Sequence, residues 1–311
     1  MEGQVKAPPT ANPAHRTRGT FIDQLAAWIT WPRFFVTLGI TFFLFSILFP
    51  FYWMVSSSFK TREEIGGREP VYVPSALRLD AYRELFDPES PIGRFGGNIL
   101  NSIKIAIPSA LIALILSTLG AYAIARMRFR GRGFMLNGIL LVYLFPGVLL
   151  IIPLFSMLSR IGAAIGFDVQ DNLPVLVFTY LAMTLPVALY MLANYFRTIP
   201  EEIEQAAMID GASRLGVIWR ITLPLAVPAL VSVAIYCFMI AWNEFLYALV
   251  FLNDREMFTM PIKINTIFNN PDPRPHVVMA ASTLMTIPVV VLFLALERYL
   301  TEGLSAGSVK G

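Results

Sequence analysis

Arg197-Thr198-Ile199-Pro200-Glu201-Glu202-Ile203-Glu204-Gln205-Ala206-Ala207-Met208-Ile209-Asp210-Gly211-Ala212-Ser213 is a polar segment set between two long apolar runs. It carries unusually complete signals for one short helix. Thr198 is placed to cap the start, Glu201 stands three residues on as the reciprocal capping-box partner, and Pro200 falls in the first turn. Gly211 is expected to end the helix in a left-handed turn. Glu201, Glu202 and Glu204 crowd the positive end of the helix dipole, while Ala206, Ala207 and Gly211 leave a low-relief strip that another protein's cleft can approach closely. Asp210-Gly211 is also ordinary turn chemistry, and the two readings coexist because a stop is needed there in either case. A helix so well specified outside a bilayer reads as a docking element.

The flanking runs decide the class. Of the 311 residues 56% are hydrophobic and only 14% charged, with 24 Phe and a mean hydropathy of +0.63, which is membrane rather than soluble composition. A helical crossing takes about 20 predominantly apolar residues, and six stretches qualify: 34–56, 98–125, 134–158, 173–195, 224–252 and 277–300. The expected fold is all-α and polytopic, with six transmembrane helices and the polar helix between spans four and five. Residues 34–311 form the membrane domain, in which 57–97 is an external segment and 197–223 a cytoplasmic loop. Residues 1–33 form a cytoplasmic tail whose Phe21, Ile22, Leu25, Trp28 and Trp31 suit a short helix at the membrane surface. Pro108, Pro146, Pro153, Pro186, Pro228 and Pro288 fall inside spans and are expected to kink them.

Several classes are excluded. One cysteine, Cys237, permits no disulfide framework, and with His15 and His276 as the two histidines no His/Cys metal cluster can be assembled. A net charge of +3 is too small to argue for nucleic acid. Pro8, Pro9 and Pro13 precede any apolar run, so the N-terminus lacks the order of a cleaved signal peptide. Orientation rests on Arg126, Arg128, Arg130 and Arg132, a cluster with no acid beside it in sequence, whereas the 57–97 segment mixes basic residues with acids. With that cluster inside, both termini and the 197–223 loop are cytoplasmic.

The polar segment resembles the EAA loop of binding-protein-dependent ABC importer permeases, whose pattern is Glu-Ala-Ala, three residues, Gly, nine residues, Ile, any residue, Leu-Pro. Here Gln205-Ala206-Ala207 is followed by Gly211 and then by Ile221-Thr222-Leu223-Pro224 at that spacing. The departure is Gln205 in place of Glu, which removes a charge and with it any ion pair carried over for that position. The six-span layout, Trp242-Asn243-Glu244-Phe245 and the tail Glu302-Gly303-Leu304-Ser305-Ala306-Gly307-Ser308-Val309-Lys310-Gly311 are similar to MalG-like carbohydrate permeases. The resemblance implies a multi-pass protein of a prokaryotic inner membrane, paired with a MalF-like second permease, two ATPase subunits and an extracytoplasmic solute-binding protein. It also implies ATPase-coupling roles for Glu204, Gln205, Ala206, Ala207, Asp210, Gly211, Ile221, Leu223 and Pro224. No Gly-rich phosphate loop ending in Lys-Ser/Thr occurs, so no catalytic residue and no bound cofactor is expected, and ATP with Mg belongs on the partner ATPase.

The implied cargo is a sugar or sugar-like solute, moved by alternating access. Trp242, Asn243, Glu244 and Tyr247 are the candidates for its path, because an ionisable group within a span is costly and usually functional, and sugars pair their hydroxyls with carboxylate and amide while stacking on aromatic rings. An interhelical hydrogen bond that holds spans together is the competing account of Glu244. An amino-acid or peptide permease of the same type is the alternative for cargo. An ion-coupled transporter lacks an intramembrane acid relay, and a lipid-linked sugar transferase lacks an acid or histidine constellation at a membrane face. If the arginine cluster sets the topology, a C-terminal tag is labelled only after cells are opened; labelling of intact cells would invert it.

Overall fold

The computed structural model describes residues 31–307. The surface helix expected at 21–33 falls almost wholly, and the tail end at 308–311 wholly, outside them. Among the described residues the secondary structure is helical, with no strand. In chain order the helices are α1 Trp31–Ser57, α2 Arg62–Gly66, α3 Asp80–Phe86, α4 Phe95–Arg126, α5 Arg132–Leu144, α6 Ile151–Ile165, α7 Leu173–Thr198 and α8 Glu201–Ile209. They continue with α9 Arg214–Val217, α10 Leu223–Leu225, α11 Val227–Asn243, α12 Leu246–Phe251, α13 Met260–Phe268 and α14 Pro275–Gly307. A 3₁₀ turn, Gly147–Leu150, leads into α6, and a π-helical segment, Ile218–Thr222, joins α9 to α10.

Among the described residues five helical stretches are long and apolar enough to cross a membrane: Arg33–Ser57, Phe95–Arg126, Gly147–Ile165, Leu173–Thr198 and Pro275–Tyr299. Arg214–Leu225 and Val227–Asn243 make a sixth if taken together, although they meet at a bend of 80°. The chain divides into two compact units, one ending at Trp53 and the other beginning at Met54. In the first, α1 has no acidic or basic side chain after Arg33, and its aromatics lie along its own ladder, with Phe45, Phe49 and Trp53 in ring contact at successive turns.

Two expected spans are interrupted. The stretch 134–158 is not one helix: α5 ends at Leu144, and after 13 residues it is too short to cross. The cause is local, since a residue preceding proline is driven out of the helical region; Phe145 sits at φ −74° and ψ 129°, and Pro146 is likewise extended. The helix then restarts through Gly147–Leu150, and the crossing shifts toward Ile165. The stretch 224–252 breaks at Glu244 and Phe245, with Glu244 extended at φ −66° and ψ 129°. Proline placement is corrected accordingly. Pro108, Pro186 and Pro288 lie inside helices, whereas Pro146 sits in a break and Pro228 in the first turn of α11, where its missing N–H costs nothing.

The second unit is built around α4. Ser102, Ala106, Ser109, Ala110, Ala113, Ser117, Ala121 and Ala125 recur at three- and four-residue steps along it, and all are buried. Between membrane helices there is no hydrophobic preference over lipid, so association depends on close backbone approach, which small residues permit. Helix α7 packs along this strip and α11 beside it; Ala188, Leu192, Ala193 and Phe196 of α7 and Val233 and Cys237 of α11 complete one core cluster. A second cluster, with Phe95, Ile105, Leu176, Tyr180, Trp242, Phe251 and Met260, joins α4 and α7 to α12 and α13.

Outside the spans the short elements are held by polar clips. Asn98 Nδ2 donates to the Phe258 carbonyl at 2.9 Å, Asn101 Nδ2 to that of Glu256 at 2.7 Å, and Ser102 Oγ accepts from the Met260 N–H at 2.8 Å. Arg62 pairs with Asp272 at 2.6 Å, and Arg274 pairs with Glu84 and Asp272. Helix α2 starts in a full capping box between Thr61 and Glu64. Hydrogen bonding to Ser75 and then to the Thr61 N–H holds the Glu64 carboxyl down at about 2. Ala113→Leu, which drives a larger side chain into the fully buried strip, is expected to cost about 1–3 kcal/mol and lower the thermal unfolding midpoint in detergent, while Leu111→Val on the exposed face leaves it unchanged.

Candidate docking helix and solute path

Helix α8 begins two residues later than the sequence suggests, its N-cap at Pro200 rather than Thr198. Thr198 is the last residue of α7, and its Oγ1 donates back to the Tyr195 carbonyl at 2.8 Å. It therefore caps nothing ahead of it. Ile199 and Pro200 are extended, again because the residue before proline avoids the helix, and Pro200 is the N-cap with no side-chain bond. The expected capping box does not form. The C-terminus does follow the sequence: Gly211 has φ +90°, its N–H donates to the Met208 carbonyl at 3.1 Å, and the Ala212 N–H donates to that of Ala207 at 3.0 Å. Those two bonds are a Schellman stop. No atom lies within 4 Å of where a Gly211 Cβ would stand, so backbone conformation, not space, demands glycine. Ser213 Oγ, accepting from the Gly216 N–H at 3.2 Å, caps α9.

Glu204 is turned inward, although the sequence grouped it with the exposed acids. It is 4% exposed, and its carboxylate accepts from Tyr122 Oη at 3.0 Å, Arg126 Nε at 2.9 Å and Thr222 Oγ1 at 3.1 Å. Arg126 Nη2 also donates to the Ile199 carbonyl at 2.8 Å, and Glu201 lies 4.0 Å from its Nη1. The arginine cluster thus has acids beside it after all, supplied from 75 and 78 positions away in sequence; Arg128 and Arg130 remain exposed. Glu204 has no outward face, and the outer surface of α8 is made by others. Gln205, Ala206, Asp210 and Gly211 are exposed and Ala207 is half-buried, and beside them stand Ile203, Met208 and Ile209, the last 86% exposed. Ile221 is half-buried in the π-helical segment, and Leu223 and Pro224 follow in α10, with Pro224 exposed.

At the break in span five all four path candidates have polar groups engaged within the chain, and three of them are buried. The Glu244 carboxylate accepts from the Tyr247 and Ala248 N–H groups at 2.8 and 3.0 Å and from Tyr180 Oη at 2.7 Å. It serves as the missing cap of α12. Trp242 is 1% exposed, stacks on Phe238 and donates its indole N–H to the Met285 carbonyl at 3.1 Å. Tyr247 Oη donates to the Gly147 carbonyl at 2.8 Å, supporting the 3₁₀ turn after Pro146. Asn243 is exposed, with Nδ2 on the Met239 carbonyl of its own helix.

Next to this break lies a cavity of about 550 Å³. Val142, Tyr143, Gly147, Leu150, Met183, Pro186, Tyr236 and Tyr247 are among its lining, so it opens where span three is interrupted. The sequence singled out Tyr247 alone of these. Tyr143 and Tyr236 of this lining were missed, as was Tyr180, the buried partner of Glu244; for Tyr180 a tyrosine in the middle of an apolar run was the available signal, since a buried phenol needs a hydrogen-bond partner.

The binding-protein-dependent transport system inner membrane component family matches residues 115–305. The chain is 41% identical over 273 residues to the inner membrane ABC transporter permease protein YcjP of Escherichia coli, covering 88% of this chain and 95% of that one. It is 36% identical to the trehalose/maltose transport system permease protein MalG of Thermococcus litoralis, over 90% of this chain and 97% of that one. It is 33% identical to the trehalose transport system permease protein SugB of Mycobacterium tuberculosis, over 85% and 93%. Among solved structures, a bacterial ABC transporter that imports the acidic polysaccharide alginate superposes with a TM-score of 0.71 at 22% identity, over 90% of this chain and 98% of that one. The fold is that of an ABC importer permease, and the chain belongs to the family of binding-protein-dependent transport system inner membrane components.

Proposed function

We propose that this permease carries a sugar or sugar-like solute inward across a prokaryotic inner membrane, with both termini cytoplasmic. Relatives named for trehalose, maltose, diacetylchitobiose and arabinooligosaccharides support the cargo class, and they favour it over an amino acid or peptide. The chain works with a MalF-like second permease, two ATPase subunits and a solute-binding protein; ATP and Mg are held by the ATPase, and this chain hydrolyses nothing.

The observation that carries the coupling assignment is the outer surface of α8. Ile209 at 86% and Met208 at 40% exposure stand on a helix outside the spans, beside Ala206 and Gly211, where an apolar side chain gains nothing from water. An ATPase cleft that received this surface would bury it. Gln205, Ala206, Ala207, Asp210 and Gly211 then form or shape the contact, and Ile221, Leu223 and Pro224 carry the chain from it back to the spans. The solute path is proposed along the cavity at the span-three break, where Tyr143 and Tyr236 offer rings and hydroxyls; Tyr247 lines it, Glu244 fixes the Tyr247 backbone at the start of α12, Trp242 packs in the core at the end of α11, and Asn243 is exposed there.

Ile209→Arg is expected to strip the ATPase subunit from the purified complex. Gly211→Val adds about 1–3 kcal/mol of backbone strain at a left-handed position and should weaken retention of the ATPase in the same way, whereas Gln205→Glu is tolerated. Full retention in both damaging variants would remove the docking role. For the path, Tyr143→Ala should raise the apparent KM for uptake of a labelled disaccharide by roughly three- to tenfold, the loss of an aromatic contact worth about 1 kcal/mol, at unchanged ATPase retention. Unchanged KM across a disaccharide panel would place the path elsewhere.

A further inference from the structure

The Glu204 junction joins more elements than fixing α8 requires. One carboxylate, 4% exposed, receives Tyr122 and Arg126 from the end of α4, Thr222 from the π-helical segment, and through Arg126 the Ile199 carbonyl at the end of α7. The side chains of the ion pair are 5% and 7% exposed. Buried charges of this kind are held by mutual geometry, and removing one partner leaves the other uncompensated. The junction therefore transmits position: α8 cannot shift without carrying the end of α4 or breaking the pair.

The second link is softer. Thr222 closes the π-helical segment Ile218–Thr222, a ladder type that is rare and concentrates at functional sites. Four residues later comes Ala226, fully buried, at the 80° bend into α11. Movement of α8 would thus reach α11 through Thr222 and a compliant turn, and reach α4 directly through Arg126 and Tyr122.

We infer that Glu204 is a positioning residue for transport, acting from inside the permease by binding the docking helix to α4 and, through Thr222, to α11, so that displacement of α8 is delivered to the spans. This rests on the docking assignment of α8, and it gives Glu204 a task different from touching the ATPase. A residue that merely stabilises the fold would affect assembly; a positioning residue separates assembly from motion.

The test uses the complete transporter in lipid nanodiscs, in a Cys237→Ser background that removes the buried thiol, with Leu225→Cys as a reporter on an exposed position at the bend into α11. The rate of labelling by a membrane-impermeant maleimide is measured with and without MgATP plus vanadate. In the parent, MgATP plus vanadate changes that rate. Glu204→Gln should keep the ATPase subunit bound and hydrolysing MgATP while the nucleotide-dependent change shrinks by on the order of fivefold or more, the usual scale of a coupling between sites. Thr222→Val, near-isosteric and leaving the Arg126–Glu204 pair intact, should shrink it in the same direction by less, and it carries the test if the Glu204→Gln permease itself is not recovered folded from the membrane. A parental-size response in either variant overturns the inference, as does a parent that shows none. Loss of the ATPase subunit from Glu204→Gln also overturns it, since Glu204 would then only shape the docking surface. Failure of the docking assignment is read separately, as retention of the ATPase subunit by Ile209→Arg.

Discussion

A break in a helix within or beside a bilayer strands backbone donors and acceptors where water cannot reach them, and something else in the protein must take their place. Two buried glutamates are central to this here, Glu244 directly and Glu204 through Arg126. Glu244 receives the free N–H groups of Tyr247 and Ala248 where α11 gives way to α12, with Tyr180 as third donor. Glu204 receives Tyr122, Arg126 and Thr222, and Arg126 in turn takes the Ile199 carbonyl left free between α7 and α8. Each carboxylate is met by a tyrosine from a different long helix. Tyr247 extends the scheme, since its hydroxyl supports the Gly147 carbonyl after the break in span three.

The irregular segments thus lean on α4 and α7, and that pair is suited to bear them. Its small buried side chains bring the two backbones close, so that the contact is made of many short-range interactions with little side-chain freedom to lose. Gly120 adds room for a partner side chain: a Cβ there would meet Leu189 Cδ2 at 2.6 Å. Tyr180 and Ile199 sit about 28 Å apart along α7 at the helical rise per residue, so the two carboxylate junctions hang on widely separated points of one rigid support.

What was legible in the sequence follows from the range of the forces that set it. The apolar runs, the turn at Gly211 and the small-residue strip Ala206-Ala207-Gly211 depend on local composition or backbone preference, and they are where the sequence puts them. The interruption at Phe145-Pro146 was hidden because the residues on either side stay apolar; proline alone does not distinguish a kink from a break. Thr198 had the right type and spacing for a cap, but the helix before it runs on to that residue and uses its hydroxyl. The inward turn of Glu204 was not legible at all. Its partners lie 78 and 82 positions upstream and 18 downstream, and from the sequence Arg126 looked like one of four equivalent surface arginines.

A buried ion pair is a poor way to gain stability, because the cost of desolvating both charges offsets most of their attraction. Apolar residues of similar volume would hold α8 to α4 at least as well. What a carboxylate offers in addition is directionality: three donors converge on two oxygens from two elements, α4 and the π-helical segment, and their arrangement fixes where α8 stands relative to both. The same holds at Glu244, where two N–H donors and a phenol fix the start of α12. Glutamate at these points gives each jointed segment a defined seat on the α4–α7 support, and a seat made of a few directional bonds has discrete positions, whereas a greased contact slides. A transporter that must move between two openings needs such discreteness at its joints, which is a reason for charge to persist at positions where lipid-like packing alone would disfavour it.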